Sequence, residues 1–368
     1  MAASKSQFMN IITPASEEFL AQYLNNASPT GFETPGQKLW LDYIKPYIDD
    51  YFVDNYGTVV GVINPTADYR VVIEAHADEI SWFVHQITKD GYLKVIRNGG
   101  SDHMIAPSKR VNIHTPQGIV RGVFGWPAIH TRRGEDAKLA PKLDNIFIDV
   151  GADSKEEVEE MGIHVGCVIT FDDEFEVLND RFYMGRALDN RMGGFCIAEV
   201  ARLLHEEQVK LPFALYIVNA VQEEVGLRGA QMIANRIKPH AAIVTDVCHN
   251  THTPLVSIAK HGDIKGGDGP DLTYAPAVHN KLLQLIIEAA QEKEIPFQRS
   301  ASSRVTGTDT DAFAYSNAGV PSALISLPLK YMHTTVEMAH KEDVKHVIQL
   351  IFESLQKIEN QHDFRYFH

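Results

Sequence analysis

The chain has 368 residues, 44% hydrophobic and 22% charged, which excludes a disordered or fibrous protein and, at about 150 residues per domain, leaves room for two domains. Its 34 Lys and Arg stand against 48 Asp and Glu, a formal net charge of −14, which argues against nucleic acid or an anionic lipid surface as a partner. No apolar run approaches the ~18 residues that a membrane helix requires.

The first twenty residues lack a continuous apolar stretch and carry Glu17 and Glu18, so they do not read as a signal peptide. Pro29, Gly31 and Pro35 precede Leu39, Leu41, Ile44 and Ile48, whose spacing predicts a first surface helix from Pro35 to Ile48. Two apolar runs follow, Thr58 to Ile63 and Val71 to Ala75, both expected as buried strands. The second ends in His76, Ala77, Asp78 and Glu79.

From Ser81 to Val177 short β-type runs alternate with turn signals: Tyr92 to Ile96, Arg110 to His114, Gly118 to Phe124, Asn145 to Val150 and Cys167 to Phe171. This spacing predicts a small all-β module. Thr131 to Lys142 within it is charged and aperiodic, so an exposed loop or a subunit contact is expected there. Beyond Asp189 the α/β texture returns. Met192, Cys196, Val200 and Leu203 mark a helix, Phe213 to Ala220 a strand, Ala230 to Ile237 a helix and Ala241 to Thr245 a strand; a helix from Lys281 to Glu292 precedes a strand from Ser322 to Leu327. The expected fold is α/β: a mixed sheet flanked by helices, formed by residues 1–80 and 178–368, with a β-barrel-like domain inserted at 81–177. Cys167, Cys196 and Cys248 are too few and too widely spaced for a disulfide framework, which suits the reducing cytoplasm.

Several polar residues fall just after buried apolar runs: His76 and Asp78, Glu223 and Glu224, Asp246 and, slightly later, His333. Carboxyl ends of strands in open α/β sheets are where ligands bind. Asp189 joins them by opening a helix, where a carboxylate is favoured. Singly, each has a plainer reading, as a helix cap or a hydrogen-bonded loop residue. Adjacent Glu223 and Glu224 are harder to explain that way unless both face solvent, because two carboxylates at so apolar a strand end repel each other and resist desolvation without a cation. Two His and several carboxylates, with no Cys, are donors suited to Zn²⁺, Co²⁺ or Mn²⁺. His76, Asp189, Glu224, Asp246 and His333 would serve two such ions if Asp189 bridges them, in a site that activates a shared water. Glu223, left free, is the candidate general base. Asp78 is the candidate acceptor for the other ring N–H of His76.

In order, the segments EAHADEI (74–80), FIDVGADSKEE (147–157), ALDNRMGG (187–194), QEEVGLRGA (222–230), VTDVCHNTHTP (244–254), TGTDTDAF (306–313) and KYMHTTVEM (330–338) resemble the tetrahedral metallo-aminopeptidase family. These are also called glutamyl or deblocking aminopeptidases, and some members are labelled endoglucanases. The resemblance spans nearly the whole chain. It implies His76, Asp189 and Asp246 on one divalent metal, Asp189, Glu224 and His333 on the other, Glu223 as general base and Asp78 behind His76. It further implies that the β module is a dimerisation domain, that dimers assemble into a tetrahedral dodecamer, and that substrates are peptides with a free N-terminus. Two departures stand out: Asn190 follows Asp189 where Asp is frequent, and Ser81 and Trp82 stand where Gly and an apolar residue are more usual.

Other signals are weaker. Cys248, His249 and His252 lack a second Cys/His pair at finger-like spacing. Gly262, Gly266, Gly267 and Gly269 lack the Lys-Ser/Thr of a phosphate cradle and are expected as a flexible loop. Thr306 to Asp311 are expected to line the substrate pocket or to form a polar turn. Two rival functions stay open: a carboxypeptidase or N-deacylase on the same metal pair, and a metal-independent glycoside hydrolase.

Overall fold

Runs of β-branched and aliphatic residues make the centre of the molecule a sheet buried on both faces. The structure, a computed structural model, describes residues 10–134 and 138–367. In chain order these form α1 (Pro14–Asn25), α2 (Thr34–Ile44), β1 (Asp50–Val53), β2 (Val59–Ile63) and β3 (Arg70–His76). Next come β4 (Ser81–Ile87), β5 (Leu93–Asn98), β6 (Arg110–Thr115), β7 (Gly118–Phe124), β8 (Ile148–Asp149), α3 (Lys155–Glu160) and β9 (Val168–Phe171). The chain continues through β10 (Glu176–Leu178), β11 (Phe182–Gly185), α4 (Leu188–Glu206), β12 (Ala214–Ala220), α5 (Arg228–Ile237), β13 (Ala241–His249) and α6 (Ile258–His261). It ends with β14 (Asp271–Tyr274), α7 (Asn280–Glu292), β15 (Gln298–Ala301), α8 (Asp309–Ala314), β16 (Ser322–Lys330), β17 (Glu337–His340) and α9 (Lys341–Lys357).

The main sheet runs β1-β2-β12-β3-β13-β16-β17-β11-β10, with β14 and β15 joined at β16. Its central strands β12, β3, β13 and β16 are parallel and almost wholly buried, as expected for strands covered by helices on both sides. The expected mixed α/β sheet is therefore present, and so is the small β module: β4-β5-β8-β7-β6-β9 close into a barrel. Each has its own apolar core. Trp82, Val111, Ile113, Phe124 and Ile169 fill the barrel, whereas the main core gathers around Trp40, Phe195, Phe213 and Phe313.

Local structure departs from expectation in several places. The first helix is α1, started by a capping box in which Thr13 Oγ1 accepts the Ser16 N–H at 3.0 Å. Its buried face of Phe19, Leu20, Tyr23 and Leu24 has helical spacing, a signal available in the sequence. The next helix stops at Ile44 and tightens into a 3₁₀ turn over Lys45–Tyr47, where Pro46 cannot supply an N–H. A last helix, α9, also went unexpected despite burying Val344, Val347, Ile348, Ile351 and Leu355 on one side. The expected surface loop between Thr131 and Lys142 falls partly on residues 135–137, outside the described residues; its flanks are mostly exposed. Among the described residues no helix is long and apolar enough to cross a membrane.

Candidate active site

Strand register brings the sequence-distant polar residues to one level. Ala220 pairs with His76 at the carboxyl ends of β12 and β3. Val244 pairs with Glu74, so Asp246, two residues on, stands beside His76. A cavity of about 480 Å³ opens over these strand ends and is lined by His76, Asp189, Glu223, Glu224, Asp246 and His333. This size is in the usual range for small-molecule sites.

The turn after β12 is shaped by close packing. A Cβ on Gly229 would stand 2.3 Å from the Val221 carbonyl, so only glycine lets α5 approach the strand end this closely. The Glu223 carbonyl receives the N–H groups of Gly226 and Leu227 at 2.8 and 2.9 Å, closing the turn that carries both glutamates. On the other side of the cavity His333 has φ +61, a conformation that costs of order 1 kcal/mol for a non-glycine residue. Its N–H donates to Glu337 Oε1 at 2.7 Å, and the other oxygen of Glu337 accepts the Asp189 N–H at 3.1 Å. Glu337 thus holds the backbone of two candidate ligands, a role the sequence reading missed although the residue lies in the same segment as His333. The barrel reaches the site too: a Cβ on Gly100 would stand 2.6 Å from His333 Nδ1.

Asp189 faces both histidines. Its Oδ1 lies 3.3 Å from His76 Nε2 and its Oδ2 lies 3.2 Å from His333 Nε2. His76 Nε2 is 3.8 Å from Asp246 Oδ1 and 3.7 Å from Glu223 Oε2, while His333 Nε2 is 3.5 Å from Glu224 Oε1. Donor atoms of His76, Asp189 and Asp246 lie within 4.8 Å of one another, as do those of Asp189, Glu224 and His333 and those of His76, Glu223 and Glu224. All five residues expected as ligands converge, with Glu223 beside them. Asp189 does not start α4 in the expected way: Leu188 precedes it, Asp189 and Asn190 have non-helical backbone angles, and the peptide between them is cis.

Asp78 does more than expected. Its carboxylate lies 3.4 Å from His76 Nδ1, which is also 3.2 Å from the Asp78 carbonyl. In addition Oδ1 accepts the Glu223 N–H at 3.0 Å, and Oδ2 accepts the Glu224 N–H at 3.2 Å and the Thr30 hydroxyl at 2.8 Å.

Electrostatically the cluster is held together against strong desolvation. Burial pushes Glu223 up to about 10, opposed by His76 and reinforced by the Asp246, Asp309 and Glu224 charges. Burial likewise raises Glu224 and, far more, Asp246. Asp189 goes the other way: hydrogen bonds from His333 and His76 outweigh burial and hold it below the ordinary carboxylate range. Burial would lower His333, but Asp189 and Glu224 draw it up to about 11. Beneath the cluster burial pushes Glu74 up to about 8 and Asp309 well above its usual range.

The other signals divide: Cys248 and His249 line the cavity, whereas His252 does not. His252 pairs with Asp263 at 2.6 Å, away from any grouping of donors found among the described residues. The glycine-rich loop is pinned rather than free, since Gly267 and Gly269 donate their N–H groups to Asp343 at 2.6 and 2.9 Å. Thr306, Gly307 and Thr308 line the cavity.

Comparison with known proteins places this arrangement. The profile of the family described as M42 glutamyl aminopeptidase matches residues 57–350. Lysyl aminopeptidase of Pyrococcus furiosus is 34% identical over 93% of this chain and 97% of its own. The crystal structure of a TET aminopeptidase from a marine sediment thaumarchaeon superposes with a TM-score of 0.90 at 31% identity, covering 94% of this chain and 97% of that one. A Pyrococcus horikoshii TET1 peptidase, described as assembling into a tetrahedron or a large octahedral shell, gives 0.80 at 28% identity, covering 92% and 98%.

Proposed function

The chain belongs to the M42 glutamyl aminopeptidase family and is a peptide hydrolase; on that premise we propose that it is a dinuclear, metal-dependent aminopeptidase that removes N-terminal residues from peptides. One observation carries this reading: the two oxygens of Asp189 each face a different histidine, at 3.3 and 3.2 Å.

The donor set fits divalent metal. Donors around one tetrahedral zinc ion stand roughly 3.3 Å apart, close to the spacings of 3.2 to 3.8 Å found here. Nitrogen and oxygen donors without thiolate favour Zn²⁺ or Co²⁺, with Mn²⁺ as a further candidate. His76, Asp189 and Asp246 would hold one ion and Asp189, Glu224 and His333 the other, and such a pair supplies Lewis acidity that lowers the pKa of water and polarises a carbonyl oxygen. Among the described residues no lysine or arginine lines the cavity to take that part.

Glu223, ionised once the charge of bound cations offsets the burial that raises it, is the general base: its carboxylate takes the proton of the attacking water and returns it to the leaving amine nitrogen. Asp78 positions His76 and the Glu223-Glu224 turn, and Glu337 positions Asp189 and His333. These hydrogen bonds hold the groups in place before substrate arrives, which lowers the entropic part of the barrier.

The barrel of residues 81–177 is assigned to dimerisation, and the dimers to a tetrahedral dodecamer. Support comes from one similar structure described as a dodecamer and another described as a tetrahedron or a large octahedral shell, and from exposed apolar side chains of this segment, Ile119 on β7 at 60% and Ile129 in the connection after it at 70%. Three cysteines without a disulfide support the cytoplasm as its location.

The test compares aminoacyl p-nitroanilides, N-acyl amino acids and a soluble cellulose derivative, each assayed with Zn²⁺, Co²⁺ and Mn²⁺. Metal-dependent release from the aminoacyl substrates is expected. Cleavage of N-acyl amino acids alone would turn the reading to a deacylase or carboxypeptidase, and metal-independent cleavage of the polysaccharide to a glycoside hydrolase.

A further inference from the structure

Resting on that reading, we propose that the pocket selects peptides whose first residue carries a cationic side chain, lysine or arginine, and that Asp271 recognises it. Asp271 is 1% exposed and borders the same cavity as the acid cluster. Its Oδ2 accepts hydrogen bonds from Thr273 Oγ at 2.8 Å and Ser300 Oγ at 2.5 Å. Its Oδ1 has no hydrogen-bond partner among the described residues. A buried carboxylate with an idle oxygen is costly, and a donor arriving with substrate would relieve that cost. Thr273 and Ser300, side by side in the β14–β15 register, fix the carboxylate so that its free edge is kept for the ligand.

The register also sets the distance. Asp246 pairs with Ser326, and Ser326 pairs with Asp271, so the three form one row across β13, β16 and β14 and project from the same face of the sheet. At ~4.8 Å per strand spacing, the backbone of Asp271 lies roughly 10 Å from that of Asp246. The α-amino nitrogen of a peptide is only ~2.5 Å from its first carbonyl carbon, too near to span this gap. A lysine Nζ, four methylenes beyond Cα, extends ~6 Å along it, and an arginine guanidinium slightly farther.

Charge points the same way. Among the described residues no lysine or arginine lines the cavity, so an acidic side chain would meet Asp271 uncompensated. Of the histidines along this wall, burial and neighbouring His261 lower the pKa of His249, keeping it neutral near pH 7. A neutral aliphatic side chain would enclose the carboxylate without pairing it. A lysine or arginine pairs it through a charge-assisted hydrogen bond.

The experiment uses metal-replete protein with Lys, Arg, Leu, Ala and Glu p-nitroanilides, wild type and Asp271→Asn, together with calorimetric titration by free L-lysine and by L-norleucine, which lacks only the terminal ammonium. We expect kcat/KM for Lys and Arg to exceed that for Leu by at least about tenfold, and Asp271→Asn to lower the Lys/Leu ratio about 10- to 100-fold. Wild-type protein should bind lysine at least about tenfold more tightly than norleucine, a readout that needs neither turnover nor a folded variant. Cleavage of Leu or Ala substrates without preference for Lys and Arg, or equal binding of the two amino acids, overturns the assignment of Asp271 and leaves the aminopeptidase reading standing. If no aminoacyl substrate is cleaved, that reading fails instead, and the titration still decides whether Asp271 binds a cationic chain.

Discussion

The Asp78 carboxylate accepts the main-chain N–H of Glu223 at 3.0 Å, tying the loop after β3 to the loop after β12 beneath the candidate base. One side chain therefore sets the spacing between His76 and Glu223. Asp78→Ala should lower kcat on the order of 100-fold, the usual penalty for a catalytic group displaced by about 1 Å, with KM little changed. Steady-state kinetics on an aminoacyl p-nitroanilide measure both; a rise in KM at constant kcat would show that Asp78 acts in substrate binding.

Glu223→Gln keeps the shape of the side chain and removes its basicity. Turnover should fall about 10²- to 10⁴-fold, the range for loss of a general base, with two metal ions per chain still bound by elemental analysis. Retention of full turnover would remove Glu223 from proton transfer.

Dialysis against a chelator should abolish peptide hydrolysis and lower the melting temperature. The reason is linkage: ions that bind only the folded chain stabilise it, and without them the carboxyl groups of Asp189, Glu223, Glu224 and Asp246 crowd one cavity. Adding back Zn²⁺, Co²⁺ or Mn²⁺ one at a time should restore both properties, and differential scanning calorimetry beside an activity assay follows them together.

His114, on β6 of the barrel and outside the candidate ligand set, supplies a pH dependence. Burial lowers its pKa in the folded barrel, where Nε2 lies 2.9 Å from the Thr170 hydroxyl, and Arg186 adds to the effect while Glu79 opposes it. The unfolded chain, with an ordinary pKa near 6.5, binds the proton more readily. Its contribution to stability is therefore complete above about pH 6.5 and is lost as pH falls toward the lowered folded value. Denaturation midpoints should drop between pH 7 and pH 5, and His114→Gln should flatten that slope.

Much of this site is legible in local sequence. Glu223 and Glu224 follow a strand too apolar to leave two carboxylates unexplained, and His76 and Asp246 end runs of the same kind. Each signal is confined to a few neighbours, so short-range chemistry is enough to read it. Asp189 shows the limit: the sequence placed it at a helix start, whereas the structure puts it in a non-helical step with one oxygen toward each histidine.

The sequence by itself determined the alternation of buried strands and helices, the β-rich middle of the chain and the kinds of donor atom available, because apolar periodicity and side-chain chemistry are local properties. Only the tertiary structure decided that Glu337 supports Asp189 and His333 together, that Gly100 of the barrel backs His333, and that Asp271 lies in register with Asp246 two strands away. Strand order and register set these relations, and both arise from packing between segments far apart in the chain, for which no window of neighbouring residues carries a signal.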